Sequence, residues 1–181
     1  MTASARRVLQ LGAGNRRFEG LPTDQIVRLD LRPSVQPDVI WNLDSFPWPF
    51  PDASFDVVDC MDVLEHLGDL VRVMEEIHRV GRPKCRVLIA TPHFSCANSF
   101  TDPTHRHHLG LRSFDYFTDE NEFGFYTRAR FSKVRCELIF HPGPLGSVMY
   151  RVARRWPNLY EHRLCWVFPA WFMSIELVVA K

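Results

Sequence analysis

The segment Gly12-Ala13-Gly14-Asn15 and the acid Asp30 have the residue types and the spacing to hold a nucleoside-containing ligand. Glycines at 12 and 14 permit positive φ and let bare backbone approach a ligand closely, and the N–H groups of such a turn hold a carboxylate or a phosphate. Asp30 stands 18 positions after Gly12, near the interval at which an acid ending a second strand accepts hydrogen bonds from ribose hydroxyls. A dinucleotide fingerprint would require a third glycine at position 17 and a full helix facing the pyrophosphate. The chain has Arg17 there, and Gly20 and Pro22 interrupt the residues after it. A ligand without pyrophosphate, carrying ribose, adenine and an amino-acid tail, satisfies the same residues; S-adenosylmethionine (SAM) is such a ligand.

A second group lies between positions 93 and 108, where four of the eight histidines fall within Pro92-His93-Phe94 and Thr101-Asp102-Pro103-Thr104-His105-Arg106-His107-His108. A neutral imidazole accepts a proton from a nucleophile as it attacks, and a neighbouring carboxylate fixes its tautomer. His105 and His93 are the leading candidates for that base, with Asp102 as the orienting acid. His66 either points at the same pocket or caps the start of a helix. His93, Asp102, His105 and His107 also offer the ligand types of a divalent metal site. The plain alternative is a solvated loop in which Asp102-Pro103 makes a turn.

These residues need a scaffold that brings strand ends together. Val8 to Leu11 reads as a buried strand running into the glycine turn, Gln25 to Leu31 as a second strand ending on Asp30, and Val39 to Leu43 as a third ending on Asp44. Prolines 47, 49 and 51 make Phe46 to Pro51 an extended connector. Phe55 to Cys60 is the fourth strand. From Leu67 to Val80 the apolar residues recur at three- and four-residue spacing, predicting a helix capped by Asp69 and ended by a left-handed turn at Gly81 before Pro83. Arg86 to Thr91, Phe131 to Phe140 and Ser174 to Ala180 complete the strands. The first crossover is too short and too broken for a helix. The pattern is an open α/β sheet, in which ligands bind beyond the carboxyl ends of the strands.

Composition agrees. With 181 residues, 46% apolar, and 22 Lys plus Arg against 21 Asp plus Glu, the chain is expected to form a single domain with one core, with cap insertions at about 94–128 and 141–170. A net charge of +1 without a basic block argues against general nucleic-acid binding. Five widely spaced cysteines without a C-x-x-C pair give neither a disulfide framework nor a zinc knuckle, which suits a reducing cytoplasm. Val8 to Leu11 is too short for a secretory leader, and Leu164 to Ile175, broken by Pro169, is too short to span a bilayer. The insertion Gly143 to Trp171 holds Val148, Val152 and Trp156 at helical spacing with Arg151, Arg154 and Arg155 beside them. It can pack on the sheet, form a pocket lid or a homodimer face, or touch an anionic lipid surface or anionic substrate.

Val-Leu-Gln-Leu-Gly-Ala-Gly-Asn (8 to 15), Arg-Leu-Asp-Leu (28 to 31), Phe-Pro-Asp-Ala-Ser-Phe-Asp-Val-Val (50 to 58), Val-Leu-Glu-His (63 to 66) and Ile-His-Arg-Val-Gly-Arg-Pro (77 to 83) resemble, in order and spacing, class I SAM-dependent methyltransferases. The resemblance covers about residues 8 to 92. It implies a Rossmann-like, mostly parallel sheet with an antiparallel C-terminal strand and helices on both faces. It also implies methyl transfer from SAM to a small or medium acceptor. Gly12, Ala13, Gly14 and Asn15 would hold the methionine end, Asp30 with Leu31 the ribose, Leu43 and Asp44 the adenine, and Met61, Asp62 and Val63 the methyl-transfer side. Arg16 takes the family's usual third glycine position and the helix after it is missing, as in a shortened subgroup. A protein that binds SAM or its demethylated product without catalysis is the competing expectation, and a metal-dependent enzyme the third.

Overall fold

The computed structural model describes residues 5–119 and 124–181. Seven strands form one sheet: β1 (Arg7–Leu11), β2 (Gln25–Asp30), β3 (Val39–Ile40), β4 (Phe55–Met61), β5 (Gly81–Pro92), β6 (Arg130–Ile139) and β7 (Phe172–Ala180), in the order β3-β2-β1-β4-β5-β7-β6. β1 pairs in parallel with β2 and β4, β2 with β3, and β4 with β5; β7 runs antiparallel between β5 and β6. Burial explains the arrangement. β1 and β4 are buried along almost their whole length on both faces, as central parallel strands are, whereas β7 alternates buried Met173, Ile175, Leu177 and Val179 with half-exposed residues. Strand order reverses between β1 and β4, so the crevice beyond their carboxyl ends is the topological switch point where ligands bind in open α/β sheets.

Two helices exceed two turns among the described residues: α1 (Leu70–Val80) and α3 (Pro144–Arg155), with the short α2 (Asn98–Thr101) between them. α1 starts three residues later than its apolar spacing predicts, because Leu64–His66 forms a separate turn and Asp69 accepts a hydrogen bond from the Arg72 N–H (3.0 Å) as the cap. Its end differs from expectation too. Gly81 is extended (φ −70°) and enters β5 directly; a Cβ there would stand 3.0 Å from the Ile77 carbonyl and from Val179. The left-handed residue is Lys84 (φ 68°), in a bulge that also accommodates Pro83. β3 is shorter than predicted, since Asn42 turns the chain by accepting from the Asp44 N–H (3.0 Å).

Residues 12–24 contain no helix, as their interruptions predict. Arg16 instead reaches down to pair with the buried Asp59 of β4. In the insertion, α3 buries only Ala153; Val148 and Trp156 are about half exposed (47% and 52%), so their spacing does not mark a core face. Among the described residues no helix is long and apolar enough to cross a membrane.

Candidate active site

The glycine turn beyond β1 has the conformation its composition requires. Gly12 (φ 55°) and Gly14 (φ 51°) are left-handed, and a Cβ on Gly12 would stand 2.6 Å from Val63 Cγ2. Ala13, buried, donates its N–H to the Leu29 carbonyl (3.0 Å), and Gly14 donates to Asp30 Oδ2 (2.7 Å), so the end of β2 shapes the turn. Arg32 donates its N–H to Asp30 Oδ1 (2.8 Å). Burial alone would raise the Asp30 pKa, but these donors and the Arg32 guanidinium outweigh it and hold the carboxyl below its ordinary range. Asn15 and Leu31 are exposed beside the turn, Leu43 is buried, and Asp44 accepts from the Gly68 N–H (2.8 Å).

Beyond β4 and β5 lies a cavity of about 490 Å³, lined by Asp62, Glu65, His66, Asp102 and His105 with Pro92, Asn98, Thr101, Pro103 and Phe172. Asp62 follows Met61 at the end of β4 in a left-handed conformation (φ 52°), and its N–H bonds the Ala90 carbonyl (2.9 Å). Such backbone in a non-glycine residue is costly and recurs at functional sites. Glu65 and His66 come from the Leu64–His66 turn. The Glu65 carbonyl accepts from the N–H groups of Arg106 (2.7 Å) and His107 (3.1 Å), which hangs the histidine loop on that turn and sets the His66 and His105 rings 4.6 Å apart.

Hydrogen bonds assign the imidazole protons. Thr104 Oγ1 donates to Asp102 Oδ1 (2.6 Å) and therefore accepts from His66 Nδ1 (2.9 Å); the Ser99 carbonyl, an acceptor only, takes the proton of His105 Nδ1 (3.2 Å). Each ring is left with Nε2 as a lone-pair site. Asp102 thus orients His66 through Thr104, while its Oδ2 is 3.9 Å from His105 Nε2. Burial lowers the His66 pKa, with the neighbouring His105 adding to it, and burial raises that of Asp62.

Glu65 is the site residue that sequence reasoning misses. It is 2% exposed, and neither carboxylate oxygen has a hydrogen-bond partner; the Thr91 hydroxyl lies near enough to ease its charge without meeting hydrogen-bond geometry. Burial pushes its pKa up to about 6. The available signal is its place between Leu64 and His66 in the Val-Leu-Glu-His motif.

His93 stands apart from this cluster. Its Nδ1 accepts from the Ser95 hydroxyl (2.8 Å), which itself accepts from the Ala170 N–H (3.2 Å), so Nε2 carries the proton and donates to Glu161 Oε1 (3.2 Å). With both nitrogens engaged and the residue fully buried, His93 has no lone pair for a substrate or a metal. The four-residue set His93, Asp102, His105 and His107 is therefore not brought together as a metal site; the His107 Nε2 is buried without a partner elsewhere in the loop.

Sheet order, switch point and cradle define an α/β protein that takes its ligand where β1 and β4 part. Residues 19–89 match a family model described as a methyltransferase domain. A SAM-dependent methyltransferase from Archaeoglobus fulgidus superposes with a TM-score of 0.62 at 16% identity, over 96% of this chain and 86% of that one. One from Mesorhizobium loti gives 0.61 at 15% identity, over 97% and 91%. A glycine/sarcosine/dimethylglycine N-methyltransferase from Actinopolyspora halophila is 50% identical over 44 residues, 24% of this chain and 8% of that longer protein. Over residues 19–89 the chain is similar to that methyltransferase domain, and its fold is that of the SAM-dependent methyltransferases it superposes on; SAM is the cofactor that this similarity implies. The residues fit it: the backbone bend at Gly12 and Gly14 is one a Cβ would obstruct, and Asp30 keeps lone pairs beyond the two that its backbone donors use.

Proposed function

We propose that the chain transfers the methyl group of SAM to an oxygen or nitrogen nucleophile on a small or medium acceptor seated in the cavity beside Asp62. One observation supports this reading above others: the glycine turn and Asp30 open at the same crevice as a cavity lined by titratable groups, with Val63 touching the turn and its neighbour Asp62 lining the cavity. Gly12 to Asn15 would hold the methionine end, Asp30 the ribose and Asp44 the adenine. Bound there, SAM supplies an electrophilic methyl on a sulfonium.

This chain's residues then have two tasks. The cavity walls, drawn from the 62–66 turn, from residues 92–105 and from Phe172, orient the nucleophile in line with the methyl, and such positioning is worth on the order of 7 to 11 kcal/mol. His105 or His66 accepts the nucleophile's proton at Nε2, a smaller contribution of roughly a hundred- to ten-thousandfold. A protein that only stored SAM would have no use for two imidazoles with oriented lone pairs in the adjoining cavity.

Titration calorimetry with SAM and a labelled-methyl assay over hydroxyl- and amine-bearing acceptors test the reading. Asp30→Ala is expected to weaken SAM binding by roughly ten- to a hundredfold, since hydrogen bonds to a charged group contribute about 1.5 to 3 kcal/mol. His105→Ala is expected to lower turnover with little change in SAM affinity. Unchanged affinity in Asp30→Ala would remove the cofactor site.

A further inference from the structure

The cavity holds an arrangement that proton transfer to a single imidazole does not account for. Glu65, His66 and His105 each offer a ligand atom, and these atoms lie within 4.8 Å of one another. All three are hydrogen-bond acceptors. His66 and His105 spend their protons on Thr104 Oγ1 and the Ser99 carbonyl, which leaves Nε2 lone pairs, and the Glu65 carboxylate is buried with both oxygens unpartnered. Unpartnered buried acceptors are costly, and a concentration of them with only the Thr91 hydroxyl near the carboxylate favours a positive charge among them.

We propose that Glu65, His66 and His105 form a binding site for a divalent transition-metal ion. Two neutral imidazoles and one carboxylate are a ligand set suited to zinc or iron, and three protein ligands leave the remaining positions open toward the cavity, as in catalytic rather than structural sites. Each histidine has the support that metal-bound imidazoles carry, its other ring nitrogen donating to a protein oxygen; for His66 that oxygen belongs to Thr104, itself held by Asp102. Tetrahedral ligands about 2.1 Å from an ion stand about 3.4 Å apart, so the widest pair closes by up to about 1.4 Å, shared between two side chains that rotate toward the ion. The ion would face the acceptor, and an acceptor oxygen coordinated there would be more acidic than a free hydroxyl. In that state the imidazole lone pairs hold the ion and the acceptor's acidity comes from it. The inference shares its cavity with the proposed methyl transfer but does not depend on that reaction.

The test uses the full chain, stripped with a chelator and titrated without SAM: Zn²⁺ by calorimetry and Co²⁺ by visible absorption. One equivalent is expected to bind, with absorption bands typical of nitrogen-ligated Co²⁺. Glu65→Gln, His66→Gln and His105→Gln should each weaken binding about tenfold or more, while His141→Gln, on the surface beside Trp171, should leave it unchanged. If burial makes Glu65→Gln unfold, as circular dichroism would reveal, the two histidine variants carry the test. Absence of stoichiometric binding, or binding indifferent to His66 and His105, overturns the proposal. A chain that transfers methyl groups without binding the ion refutes the metal site alone; one that binds the ion but not SAM refutes the methyl-transfer reading alone.

Discussion

His93 and His105 both stand near a carboxylate, yet the partner of the second ring nitrogen separates their chemistry. His93 accepts at Nδ1 and donates to Glu161 at Nε2; His105 donates at Nδ1 to a carbonyl and keeps a lone pair. Removing the first imidazole strands Glu161, whose side chain is 13% exposed and whose pKa, despite burial, the His93 bond and the Leu111 N–H keep low. His93→Ala is therefore expected to lower the unfolding free energy by about 1–3 kcal/mol and to leave the pH profile of turnover unmoved, whereas His105→Ala shifts that profile. Chemical denaturation and initial rates across pH distinguish the two. In the sequence the pair looks equivalent, because proximity to residue 92 is visible and the partner of each nitrogen is not.

The elements carry a different lesson. Gly12, Gly14 and Asp30 are legible because a positive-φ turn followed by an acid at a set interval is a local pattern. The docking of the 105–107 loop on the Glu65 carbonyl is made by backbone N–H groups 41 and 42 residues away, which side-chain types do not report, and so Glu65 escapes notice while Asp102, His105 and His66 do not. The strands are legible nearly to their ends, but β3 is overextended in the sequence pattern since the Asn42 turn reads as strand. At this scale Gly12→Ala is a sharp probe. A left-handed alanine costs about 1–2 kcal/mol, and its Cβ would also have to displace Val63. Thermal melts should show the loss of stability, and calorimetry a weakened SAM site, whereas Gly143→Ala, with nothing within 4 Å, should leave SAM affinity untouched.

For the molecule as a whole, acid is the expected weakness. Asp30, Glu76 and Glu161 all have carboxyls held below their ordinary range, because donors outweigh burial: Arg79 and the Trp48 N–H for Glu76, as backbone N–H groups and His93 do for the others. A folded pKa below the unfolded one contributes stability that is complete above the ordinary carboxylate value of about 4 and is lost as pH falls through the folded value. Unfolding free energy should therefore drop steeply below about pH 4, and less steeply in Glu76→Gln, as denaturant titrations at successive pH values would show. The bond from Glu161 to His93 and Leu111 carries one more consequence, in time rather than space. The proposed SAM cradle is closed by contacts between residues 12 and 66, but the segment that walls the cavity, 98–105, is held on either side, at His93 and Leu111, by Glu161, far later in the chain. During synthesis the N-terminal part of a chain is free to take up structure first, so a pairing that waits for Glu161 follows one whose residues are all made by His66. A newly made chain would thus own a seat for its methyl donor before it owns a room for the recipient, and hydrogen exchange on arrested nascent chains should find amides of β1 and β4 protected ahead of the Leu111 amide.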